Sequence, residues 1–226
     1  MASPPTARRT PSFAVVGLAL AGVALAGASF FAPMWWVSLT APNYPESLYP
    51  SGVRIHLHWN HVANGCGAQL REEISEDEVL DCVEEMNTIN HYIGMHPIER
   101  GAQLEFAIAP YLFLAFGLLL AAGLFYTGPF WWLAWLPAIA LPLGFLVDFA
   151  GWLWWFGHNL HDWAAFTVKP FMPTALGEGK VAQFSTFSYP HYGFALSMGG
   201  SLCLGLALLR RRKELQPGAA PTAAGP

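Results

Sequence analysis

Residues 13–36 read FAVVGLALAGVALAGASFFAPMWW, an apolar run without one ionisable side chain. A bilayer-crossing helix needs about 20 predominantly apolar residues, so this stretch alone takes the chain out of the ordinary soluble class. Three further apolar runs follow at 104–126, 130–156 and 192–209. They divide the remainder into a cytoplasmic N-terminus at 1–12, an outer loop at 37–103, a cytoplasmic turn at 127–129, a second outer loop at 157–191 and a tail at 210–226. The tail is rich in Pro and Ala and reads as disordered. Composition agrees: 54% of the 226 residues are apolar and 12% charged, against about 25% charged in an ordinary soluble domain. The net charge of −4, with few basic residues and no basic stripe, gives no surface for nucleic acid.

The expected fold is an all-α integral membrane protein of four transmembrane helices, with the two long extracytoplasmic loops forming a small α+β domain. Arg8 and Arg9 precede the first run, and Arg210, Arg211, Arg212 and Lys213 follow the last. Basic residues near helix ends stay in the cytoplasm, so both termini are expected there, in a bacterial inner membrane, with the loops periplasmic. The first run also resembles a signal peptide, with Ala26-Gly27-Ala28 as cleavage site, but it is longer than a signal h-region. Gly193, Ser197, Ser201 and Gly205 recur every four residues, a small-residue stripe through which another helix or a second copy approaches. Asp148, the one clearly intramembrane acid, reads either as a proton or metal relay or as an interfacial hydrogen-bonding group.

All eight histidines lie in the outer loops or at their borders, so chemistry is expected outside the cytoplasm. Arg54-Ile55-His56-Leu57-His58-Trp59 alternates as a half-buried strand does. It sets His56 and His58 on one face roughly 7 Å apart, close enough to share an ion with His61. Ser75-Glu76-Asp77-Glu78 is a capping box, and the Val79, Cys82, Val83, Met86 and Ile89 that follow repeat at helical spacing. Cys66 and Cys82 are expected to pair in an oxidising compartment. Asn90-His91-Tyr92-Ile93-Gly94-Met95-His96 then offers imidazole and thioether together, a combination that suits copper, the thioether selecting Cu(I). His91 and Met95 are read as central ligands beside His96, with His56, His58 and His61 as a second arm. His158, His161 and Met172 are possible donors from the second loop. No C-x-x-C-H, P-loop, H-E-x-x-H or G-x-S-x-G is present, so ligand exchange is expected in place of enzymatic bond-making.

Two stretches carry a resemblance: Ala41-Pro42-Asn43-Tyr44-Pro45-Glu46-Ser47-Leu48 and Asn90-His91-Tyr92-Ile93-Gly94-Met95, with Phe171-Met172-Pro173 and Leu176-Gly177 further on. The chain resembles a family of small polytopic membrane proteins from gene neighbourhoods for nitrous oxide reductase maturation, beside the copper chaperone lipoprotein and ABC-type assembly factors. The resemblance implies an accessory role in supplying copper to, or sustaining, an extracytoplasmic copper enzyme. It singles out Tyr44, Glu46, His91, Tyr92, Gly94 and Met95 and carries over no active site. The expected partners are the lipid bilayer and an extracytoplasmic copper protein. The alternative is a docking subunit of a quinol or cytochrome complex without its own metal, and a third reading is a permease working through Asp148.

Overall fold

Pro33 stops the first apolar helix before its expected end at Trp36. Proline has no N–H to give and disfavours the α conformation in the residue before it. Helix α1 therefore spans Phe13–Phe31, and the chain continues as strand β1, Trp35–Thr40. The computed structural model describes residues 10–66, 81–165, 167–181 and 183–216. Strands β2 (Val53–Leu57), β3 (Val62–Asn64), β4 (Gly177–Val181) and β5 (Phe184–Pro190) join β1 in one antiparallel sheet of order β3-β2-β1-β5-β4. The chain is thus not all-α. The first outer loop and the end of the first apolar run supply three strands, the second loop supplies two, and the central β1–β5 pairing aligns Trp35 with Pro190.

Alternation along the strands gives the sheet two different faces. Val53 and Ile55 point to a core completed by Leu39, Phe184 and, from helix α2 (Cys82–Tyr92), Cys82, Met86 and Ile89. Arg54 and His56 point the other way, abreast of Ser38 and Trp36 on β1. The described part of α2 opens at Asp81, whose carboxylate accepts from the Val83 and Glu84 N–H groups. The capping box at Ser75–Glu78, Arg8 and Arg9, and the tail from 217 lie outside the described residues.

Helices α3 (Gln103–Phe125) and α6 (Tyr192–Leu215) match two of the expected spans. The run at 130–156 does not form one helix. It comprises a 3-10 turn at Trp131–Ala134, a short α4 at Leu136–Ile139 and α5 at Leu141–His158. Pro137 and Pro142, expected to kink a span, each sit in a first turn, where a missing N–H costs nothing, and so begin new helices. Among the described residues three helices, not four, are long and apolar enough to cross a membrane: α1, α3 and α6, with mean hydropathies of 2.1, 2.2 and 1.6. Pro142, Asp148, three tryptophans and His158 dilute α5 below them.

The described residues of 1–28, 111–142 and 196–216 form one compact unit. Its core holds Val15, Ala19, Leu120, Trp135, Leu204 and Ala207. Gly200 packs so closely on α1 that a Cβ there would lie 3.0 Å from the Gly22 carbonyl oxygen. Arg211 is fully buried, 3.4 Å from Glu214, and donates to the Leu124 carbonyl at 3.4 Å. Residues 29–110 and 143–195 form the second unit, which holds the sheet, α2 and every histidine.

Candidate functional site

The end of α2 shapes the candidate site. Gly94 adopts φ +82°, the left-handed conformation that L side chains avoid. Its N–H bonds to the His91 carbonyl at 3.1 Å, and the Met95 N–H reaches back to the Asn90 carbonyl at 2.7 Å, the paired bonds of a Schellman stop. The bare Cα of Gly94 then lets the second outer loop dock: His161 N–H donates to the Gly94 carbonyl at 2.8 Å and Ala165 N–H to the Tyr92 carbonyl at 3.1 Å. A Cβ on Gly94 would stand 2.9 Å from both the His161 carbonyl oxygen and the Ala164 side chain.

This docking brings together two histidines 65 positions apart in sequence: His96 Nδ1 and His161 Nε2 are 3.1 Å apart. Aromatic rings hold them. His96 stacks on Trp155 at 4.9 Å between centroids, His161 on Trp163 at 4.6 Å, and His91 on Trp163 at 4.2 Å. Burial, then the neighbouring His161 and Arg100, hold the His96 pKa below its ordinary value. It is therefore neutral at neutral pH, the form that donates a lone pair to a metal. Beside the pair lies a cleft of about 460 Å³ lined by Glu84, Asn87, His91, Met95, Glu99 and Trp163, among others.

The expected ligands are thus only partly assembled. His91 and Met95 share the cleft, but Met95 is 8% exposed and belongs to the core with Ile89 and Ile93. His158 turns onto Trp154, with centroids 4.5 Å apart, and Met172 is 47% exposed. His56, His58 and His61 lie by the opposite face of the sheet: His58 stacks on His61 at 4.2 Å, while His56 faces His191 at 5.1 Å. Burial, reinforced by His61, His56 and His191, pushes the His58 pKa down to about 4. Burial also lowers those of His56 and His191, with help from Arg54 in both. Among the described residues no three His, Cys, Asp or Glu side chains converge to hold an ion.

The remaining expectations resolve individually. Cys66 and Cys82 form a disulfide, with Cα atoms 5.8 Å apart. Tyr44 donates to Glu85 at 3.1 Å and ties the 41–48 stretch to α2; burial and Glu85 push its pKa up to about 12. Glu46 and Asp148 are exposed, and Tyr92 is 45% exposed with its ring edge-on to Phe184. Sequence reasoning missed Trp155 and Trp163 as supports for the imidazoles, and His191 as the neighbour of His56. Only the density of Trp and His between 152 and 163 hinted at them. Set against protein-family models, curated proteins and solved structures, the chain matches none.

Proposed function

We propose that this is a membrane-anchored accessory protein that binds Cu(I) at the His96–His161 pair and delivers it to, or holds it for, an extracytoplasmic copper enzyme of the nitrous oxide reductase kind. The observation that carries the reading is the 3.1 Å between His96 Nδ1 and His161 Nε2. Two nitrogens bound at 2.0–2.1 Å to one tetrahedral ion stand about 3.3 Å apart, so the pair is already at the spacing of a chelate. His91 and the Met95 thioether, which suits the soft cuprous ion, line the adjoining cleft as donors for capture or release.

The orientation that serves this role places the sheet unit in the periplasm of a bacterium and the basic ends in its cytoplasm, the chain returning from α3 to the sheet unit through the broken 130–156 run and not through a fourth long apolar helix. β1 follows α1, β5 runs into α6, and β1 pairs with β5, so the two helices enter the bilayer from the same side. At their far ends Ser12 N–H donates to Glu214 at 3.2 Å, and Arg210–Lys213 follow the positive-inside rule. A disulfide between Cys66 and Cys82 suits an oxidising compartment.

The test is Cu(I) competition titration of the full chain in detergent, with ascorbate as reductant. Wild type is expected to take about one copper, and His96→Ala with His161→Ala to weaken binding at least tenfold while the helical circular dichroism is kept. Unchanged binding in the double variant, or none in wild type, overturns the proposal.

A further inference from the structure

The sheet face turned away from α2 carries a cation without an anion. Arg54, on β2, lies with its guanidinium carbon 4.3 Å from the centre of the Trp36 ring. Among the described residues no carboxylate pairs with it, the one ion pair being Arg211–Glu214. Its Nε is sealed from solvent with no hydrogen-bond partner. Burying one donor of a charged group without a partner is unfavourable unless a counter-charge arrives. Across the strand pair Ala63 stands abreast of His56, and Gly65 N–H bonds to the Arg54 carbonyl at 2.9 Å, with the Arg54 side chain lying against the bare Gly65 Cα.

Of the rings near the guanidinium, His191 has a fixed donor. His191 Nδ1 accepts the Tyr192 N–H at 2.9 Å, so its hydrogen is on Nε2, and its ring meets that of His56 at 5.1 Å. Tyr189 packs on Trp36 at 5.2 Å. A metal ion would be repelled by Arg54, whereas the planar guanidinium fork matches the oxygens of a phosphate. We infer that Arg54, with His56 and His191, forms a binding site for a phosphate-class oxyanion, borne by a phospholipid headgroup or free in the periplasm. In the row Trp36, His56 and Tyr189, Trp36 follows the end of α1 by five positions and Tyr189 precedes the start of α6 by three, and Trp, Tyr and Arg gather at headgroup level where helices leave a bilayer. The site is independent of the copper reading, since it shares no residue with the His96–His161 pair.

The experiment uses the full chain in detergent, stripped of lipid, in two arms: calorimetric titration with inorganic phosphate, and native mass spectrometry after titration with phosphatidylglycerol. Arg54→Gln is expected to weaken binding at least tenfold in the arm that reports the true source, with Arg54→Lys intermediate. Loss in the lipid arm alone identifies a headgroup, and loss in the phosphate arm alone a free anion. His191→Asn, which keeps an acceptor for the Tyr192 N–H but removes the ring donor, is expected to weaken the same arm about threefold and serves if Arg54→Gln does not fold. Wild-type binding by both variants, or no binding by wild type in either arm, overturns the inference.

Discussion

Gly94→Ala tests the link between the helix stop and the histidine pair. The left-handed backbone at φ +82° costs a residue with a Cβ about 1–2 kcal/mol. The new methyl would also press on the His161 carbonyl and the Ala164 side chain at 2.9 Å. Both belong to a loop anchored by the His161 and Ala165 N–H groups, so relief means moving that loop, and the total penalty is about 2–3 kcal/mol. A shift of a few tenths of an ångström opens the 3.1 Å approach of His96 to His161. Cu(I) affinity should therefore fall at least tenfold, the equivalent of about 1.4 kcal/mol. Gly52→Ala is the control, since Gly52 also has positive φ, at +67°, and a Cβ there would lie 2.6 Å from Ser38 Oγ, away from the pair. Thermal unfolding in detergent should show both variants destabilised, and Cu(I) competition should show only Gly94→Ala impaired. Equal copper affinity in the two variants would refute the idea that this turn poises the pair.

Replacing Cys66 and Cys82 by Ser should cost about 3 kcal/mol, the loop-closure value for a bridge spanning 16 positions; thermal unfolding checks this, and a strong reductant should lower wild type to the same point. Arg211→Met should cost about 3 kcal/mol, because it removes the cation paired with Glu214 and leaves that carboxylate only the Ser12 N–H among the described residues, and adding Glu214→Gln should restore part of the loss in the same melt. Acid should destabilise the metal-free protein through His58. Its pKa of about 4 when folded lies below the usual value of about 6.5, so the stabilisation is complete above pH 6.5 and is lost as pH falls toward 4. The side chain is only partly buried, and solvent screening leaves about 1 kcal/mol of the effect. His58→Asn should flatten that part of the pH–stability curve.

What was legible in the sequence was local. The ends of α3 and the start of α6 follow from where apolar runs begin and end, and β2 follows from the alternation of Arg54 to Leu57. What was missed depends on partners distant in the chain. Trp35 and Trp36 look like the interfacial end of a span, yet Trp35 is 3% exposed and its indole N–H donates to Ser188 at 2.8 Å. That bond exists only because β5, drawn from the other outer loop, closes against β1. The third apolar run misled for a different reason: hydropathy sums over residues, whereas Pro137 and Pro142 act on the backbone, and two first-turn prolines are enough to divide one run into separate helices.

The candidate site divides along the same line. The stretch from Asn90 to His96 stands out as donor-rich, yet its residues have unlike tasks. Gly94 and Met95 make the helix stop, Met95 fills the core, and of the donors only His96 meets a second imidazole, from a loop whose approach depends on Gly94 having no side chain. Alternation put His56 and His58 on one strand face, but β2 ends at Leu57 and only His56 belongs to it. The pattern had no means of showing that α2 covers the other face, which separates these histidines from the His96–His161 pair. A single copper centre drawing on both loops therefore gives way to two chemically different surfaces. One pairs two imidazoles between indoles and suits a soft cation; the other sets a guanidinium without a carboxylate beside two imidazoles and suits an oxyanion. Because they share no residue, variants at Arg54 and at His96 should be additive in their effects on stability and independent in their effects on binding, and coupling between them would mean that the sheet transmits a change from one face to the other.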